Sequence, residues 1–143
     1  MTRSLEEMTL RIDDHNAIAE LQKTFSAKFP FLKLEFFTHA HRAKEGSLKK
    51  SMVDARTKLG DIRKQHNGGD LFIANDMTVS ELERLMERSY GLHVQIFRKS
   101  GKIWLETTAT DNWTLSYQNA QGAELQHRDF GIQPEESDYH EQK

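Results

Sequence analysis

Residues 10–30, LRIDDHNAIAELQKTFSAKFP, lie without a gap over residues 71–91, LFIANDMTVSELERLMERSYG, at an offset of 61. Leu10/Leu71, Ile12/Ile73, Glu20/Glu81 and Leu21/Leu82 are identical. Ile18/Val79, Lys23/Arg84 and Phe29/Tyr90 are conservative, and Phe25/Met86 keeps an apolar side chain. The matched apolar positions follow one structural pattern. Met8, Leu10 and Ile12 alternate with polar residues, the two-residue period of a half-buried strand. Ile18, Leu21, Phe25 and Phe29 then fall at spacings of 3, 4 and 4, one stripe along a helix. Pro30 stops that helix, and Leu32, Leu34 and Phe36 alternate along a second strand.

The later stretch repeats this order with other residues. Leu71 and Ile73 make a short strand, and Val79, Leu82, Met86 and Tyr90 reproduce the stripe. Gly91 takes the place of Pro30, as suits a left-handed turn after a helix. Leu92, Val94 and Ile96 alternate next, and the turn at 98–102 leads into a hairpin partner at 103–107. Asp13, Asp14 and Asn16 are candidate caps for the first helix and residues 75–78 for the second. Each unit is expected to close in a short helix, the first at 58–63. In the second, residues 110–112 would cap a helix at 113–118 that ends before Gly122. Residues 38–53 read as a long loop with a poor strand near Met52.

The expected class is α+β: two strand-helix-strand pseudo-repeats, an antiparallel sheet and helices on one face. Two arrangements satisfy this, a ferredoxin-like sheet shared by both units or two related lobes. The boundaries are a flexible lead-in at 1–7 and a single domain at 8–126, built of pseudo-repeats 8–67 and 70–122. A flexible tail occupies 127–143, where two bases face five acids.

Composition narrows the function classes. The 143 residues are 36% hydrophobic with mean hydropathy −0.75, polar on balance yet apolar enough to fill a core. No apolar run approaches the roughly 18 residues of a membrane span, and MTRSLEEM at the start carries no signal-peptide pattern. With no cysteine there is neither a disulfide framework nor a thiolate site. The net charge of −2 announces no partner.

Three strings carry a resemblance. They are Thr78-Val79-Ser80-Glu81-Leu82-Glu83, Gly91-Leu92-His93-Val94-Gln95-Ile96-Phe97-Arg98-Lys99-Ser100-Gly101, and the run from Trp104 through Thr107-Thr108-Ala109-Thr110-Asp111-Asn112 to Leu115. Together with Phe29-Pro30-Phe31-Leu32-Lys33-Leu34-Glu35-Phe36-Phe37 and Leu59-Gly60-Asp61-Ile62-Arg63, they resemble a family of small uncharacterised bacterial α+β proteins, chiefly from Bacteroidetes. The resemblance covers nearly the whole body and implies a bacterial, cytoplasmic setting. It implies no activity.

Motifs of catalysis are missing from the sequence: no Gly-x-Ser-x-Gly elbow, no phosphate loop and no Gly-x-Gly-x-x-Gly. His39 and His41 lie two apart and His66 is a third imidazole. No helical His pair accompanies them, so no metal, cofactor or catalytic residue is expected. Two surfaces remain. Phe37, Phe72, Phe97 and Trp104 fall on the off-phase of their strands, opposite the core face, and form a candidate partner surface. Residues 42–64 carry eight bases against three acids, and the turn at 98–102 is also basic. That pattern makes Lys49, Lys50, Arg63, Lys64, Arg98 and Lys102 candidate nucleic-acid contacts beside Trp104. The expected function is a non-enzymatic cytoplasmic binding or protein-interaction module, with a protein partner or self-association and no membrane. The alternative is a nucleic-acid-binding accessory protein, which requires the basic loop and basic turn to converge on one face with Trp104.

Overall fold

Period-2 and period-3.6 stretches fold where the pattern places them. The computed structural model describes residues 7–39 and 49–128. Along the chain run β1 (Glu7–Ile12), α1 (Ile18–Lys28), β2 (Leu32–Phe37), β3 (Gly69–Ala74), α2 (Val79–Tyr90), β4 (His93–Ser100), β5 (Ile103–Glu106) and α3 (Leu115–Arg128). Single 3₁₀ turns sit at Lys49–Ser51, Leu59–Asp61 and Thr108–Thr110. The fold is α+β and its strands are antiparallel.

The strands divide between two sheets, and each sheet draws on both units. β1 pairs with β3, while β2, β4 and β5 form a three-stranded sheet with β4 in the middle. Leu10 faces Leu71 across the first ladder, and Glu35 faces Gln95 across the second. One face of each sheet is apolar. Met8, Leu10, Ile12, Leu71 and Ile73 from the first join Leu34, Phe36, Val94 and Ile96 from the second in a single buried cluster. The helical stripes complete it: Ile18, Leu21 and Phe25 of α1, Val79, Leu82 and Met86 of α2, and Leu115 of α3. Burying such side chains contributes about 1.5–3 kcal/mol each, so this shared interior ties both sheets to the helices.

Helix starts are held by an arrangement that local sequence does not reveal. Asp13, Asp14 and Asn16 do not cap α1; its N-cap is Ala17, without a side-chain hydrogen bond. Instead the amides of Ile18 and Ala19 donate to the carbonyls of Thr57 and Ala55. In the other unit Val79 and Ser80 donate to Trp113 and Asp111 in the same way. The favour is returned, Leu59 donating to Asn16 and Leu115 to Met77. These segments satisfy helix amides that would otherwise lack partners. Thr78 adds a capping box with Glu81, and Gly91 ends α2 at φ 68°.

Two details differ from the sequence expectation. The second closing helix is not a short one at 113–118: it starts at Leu115 and runs through Gly122 to Arg128. Its cap is Thr114, whose hydroxyl accepts from the Tyr117 amide at 3.1 Å, in place of residues 110–112. Gly122 is helical because it packs closely, a Cβ there standing 2.7 Å from Phe31 Cβ and 3.3 Å from Lys99 O. In the long loop, Met52 bridges back to Phe37.

Candidate functional site

The face of the three-stranded sheet that points away from the helices carries Lys33, Phe37, His93, Gln95, Phe97, Lys99 and Trp104, by strand alternation. Lys33 faces Phe97 across one ladder and Lys99 faces Trp104 across the other. The Lys33 ammonium lies 5.6 Å from the Phe97 centroid and 5.0 Å from that of Trp104, while Lys99 reaches Trp104 at 5.1 Å. Two half-buried rings on adjacent strands thus share one cation and are flanked by a second. Each such contact contributes about 0.5–1 kcal/mol where water has access. Glu35 Oε2 stands 3.4 Å from Lys33 Nζ and Glu106 pairs opposite Phe97, so acids accompany the lysines.

The four aromatics read as one partner surface do not form one. Phe97 and Trp104 are together. Phe37 shares their phase but is 2% exposed, at the end of β2 where the returning chain bridges through Met52. Phe72 belongs to the other sheet, opposite Thr9, and is exposed on its outer face. Of the lysines that meet the rings, Lys99 belongs to the basic turn that the sequence sets beside Trp104, whereas Lys33 is not among the candidate bases. Alternation puts them in phase with Phe97, but only the strand register sets them against the rings.

The six basic candidates separate as well. Lys49 and Lys50 are exposed on the turn beside Thr38, whose amide donates to Ser51 O at 3.0 Å. Lys64 is exposed nearby. Lys102 sits in the β4–β5 turn, roughly 23 Å of strand away from His93 at the other end of β4. Among the described residues the basic loop and the basic turn therefore do not converge; residues 42–48 of the loop lie outside them.

Arg98 and Arg63 are structural instead. Arg98 lies over Trp113 at 5.6 Å and donates through Nη1 to Gln118 Oε1 at 2.9 Å, and burial holds its pKa below the usual guanidinium value. The Arg63 side chain has no exposure at all. Its Nε and Nη2 donate to Asp14 Oδ1 at 3.0 and 2.7 Å, its Nη1 to Tyr90 O at 3.0 Å, and its Nη2 also to Asn67 O at 2.7 Å. A guanidinium so bound makes no phosphate contact; it joins the β1–α1 turn to the end of α2. His66 Nδ1 holds the other Asp14 oxygen at 2.7 Å. Burial alone would raise the Asp14 pKa, but the hydrogen bonds from Arg63 and His66 outweigh it and keep the carboxyl below the usual range.

Between the end of β2 and the start of β4 lies a groove of about 710 Å³, lined by His39, Asp61, Lys64, Gln65, Gly91 and His93 among others. The buried Nδ1 of His93 makes no hydrogen bond, and Glu87 Oε2 stands 3.8 Å from it. Among the described residues no group of three or more His, Asp or Glu stands close enough to hold a metal ion, and His41 lies outside them. Nor does any helix among them have the length and apolar character to cross a membrane. Compared with family models, with curated proteins and with solved structures, the chain finds no match in any of the three.

Proposed function

We propose that this chain is a non-enzymatic binding module that engages a protein partner, or a second copy of itself, through the Phe97–Trp104 face. The observation that carries the reading is the pair of half-buried rings with Lys33 between them. Aromatic rings are enriched at the centres of protein interfaces, where lysine is depleted, so in this reading the two rings form the contact and the lysines its polar rim. β5, which carries Trp104, is an edge strand of its sheet, which supports the reading. Glu35 and Glu106 bring the face near charge balance, which suits a protein partner better than a polyanion. The family resemblance adds a bacterial cytoplasmic setting to the same proposal.

The reading includes a single plan used twice. Leu10 pairing with Leu71 and Glu35 with Gln95 supports a pseudo-twofold relation between the units, since each ladder is then centred on corresponding positions. The matched carbonyl caps at Thr57 and Trp113 support it too. Sedimentation velocity over a concentration series tests the function, alongside titration of labelled single- and double-stranded oligonucleotides at low salt. Concentration-dependent association that Trp104→Ala abolishes and Lys102→Ala leaves intact is the expected result. Oligonucleotide binding that falls steeply with salt and is lost in Lys33→Ala and Lys99→Ala would reverse the order of the two readings.

A further inference from the structure

The groove beside His93 stands where α3 stands in the other unit. Corresponding positions show it, an argument that rests on the twofold plan proposed above. Centring the ladder on Glu35 and Gln95 gives an offset of 60, one less than in the helices, so Thr38 and His39 match Arg98 and Lys99 and Gly91 matches Phe31, while the paired caps at Thr57 and Trp113 bring residues 62–64 onto 118–120. In the second unit those last residues are helical, and the helix goes on to lie against Phe31 and Lys99. Asn119 Oδ1 there accepts from the Phe31 amide at 2.8 Å. In the first unit the helix stops at Asp61 after one 3₁₀ turn, and Arg63 turns inward to Asp14. Gly91 presents no side chain where Phe31 presents a ring, and the Gln65 side chain packs over it, a Cβ there standing 2.9 Å from Gln65 Oε1. The groove of about 710 Å³ remains beside the strand ends.

Charge identifies what fits there. Among the described residues Lys64, His39 and His93 line the groove and exposed Lys49 and Lys50 stand beside it, against Asp61 and against Glu87, whose Oε2 lies 3.8 Å from His93 Nδ1. The Arg63 charge is already neutralised by Asp14. The α2 carbonyls that would repel an acidic ligand are taken: Ser89 O accepts from Gln65 and Asn67, and Tyr90 O from Arg63. Among the described residues no Phe, Tyr or Trp lines the groove to stack on a nucleobase, and the only rings on it are the imidazoles of His39 and His93. We infer that this groove receives an acidic helical segment of a partner protein, in the place that α3 fills in the other unit.

A display library of amphipathic helices of about 16 residues, long enough to be helical in isolation, is selected on the full chain. The recovered peptides are then titrated against three variants. Enrichment of Asp and Glu is expected, with affinity falling roughly tenfold or more in Lys64→Glu and also falling as salt rises. Lys102→Glu at the far end of β4 and Trp104→Ala on the sheet face should leave the affinity unchanged. Loss in Trp104→Ala alone would count against the groove and not against the sheet face. A pool without acidic enrichment, or one that binds Lys64→Glu as well as the parent, overturns the inference. So does a peptide of residues 129–143 that binds with the affinity of the selected helices, because the occupant is then the chain's own tail. Displacement of the peptides by a single-stranded oligonucleotide at equal or lower concentration overturns it in favour of nucleic acid.

Discussion

Arg63 sits with no side-chain exposure among Asp14, Asn67 and Tyr90, residues drawn from three parts of the chain. Its neighbour Lys64 is exposed. Removing one partner of a buried ion pair leaves the other uncompensated, so Arg63→Ala is expected to cost ~3–5 kcal/mol in urea unfolding. Lys64→Ala should stay within about 0.5 kcal/mol. Equal effects would mean that Arg63 is a surface charge after all. Asp14 adds a pH dependence. Its carboxyl is held below the ordinary 3.8, so the folded protein binds fewer protons there than the unfolded chain. The resulting stability is complete above 3.8 and is lost as pH falls through the lowered value. Asp14→Asn should therefore lower the urea midpoint at about pH 5, and the gap from the parent should close as the medium is acidified through the lowered value. A gap that persists unchanged into acid would show that the carboxylate charge is not what stabilises. Asp13 and Asp54, whose carboxyls are also held below the ordinary value by hydrogen bonds from His15 and Arg56, remain in both proteins.

At the scale of elements, the two central helices differ in how they begin. α2 has a side-chain capping box, whereas α1 relies on carbonyls from Thr57 and Ala55. Their buried stripes nonetheless match, with Leu21 2% and Leu82 0% exposed in the same apolar cluster. Leu21→Ala and Leu82→Ala should each cost about 2–5 kcal/mol, the range for a cavity at a buried leucine. A loss below about 0.5 kcal/mol at either would remove that stripe from the core. The closing helices differ more. α3 reaches Arg128 because Gly122 admits Phe31 and Lys99 O, while the matching segment ends at Asp61. The stop is side-chain chemistry: Arg63 finds Asp14, and the backbone follows it inward.

For the whole molecule, the division of strands has a consequence for folding. Neither sheet can form from one unit, because β1 needs β3 and β2 needs β4. A chain of residues 69–128 alone keeps only the β4–β5 hairpin, and two strands without a shared core are marginal in water. Such a fragment should show no cooperative unfolding and little amide dispersion by NMR, and mixing it with residues 1–68 should restore both. A fragment that folds cooperatively alone would overturn the dependence of one unit on the other.

Local pattern determined a good part of this architecture. The 3, 4, 4 stripes set both helices, alternation set the strands and their buried faces, and Gly91 set the left-handed stop. These features follow from backbone sterics and from which side of an element meets water, both legible over a few residues. The strand partners were not legible, since alternation says which face is buried and nothing about which strand lies alongside. Leu10 meets Leu71, and Lys33 meets Phe97, only when distant segments pack. The same holds for the candidate sites. Phe97 and Trp104 were visible as off-phase aromatics, but Lys33 and Lys99 joined them through register alone. Arg63 read as a solvated base because its partner Asp14 lies 49 residues away. Only the tertiary structure decided these contacts, because each depends on a neighbour that sequence distance conceals.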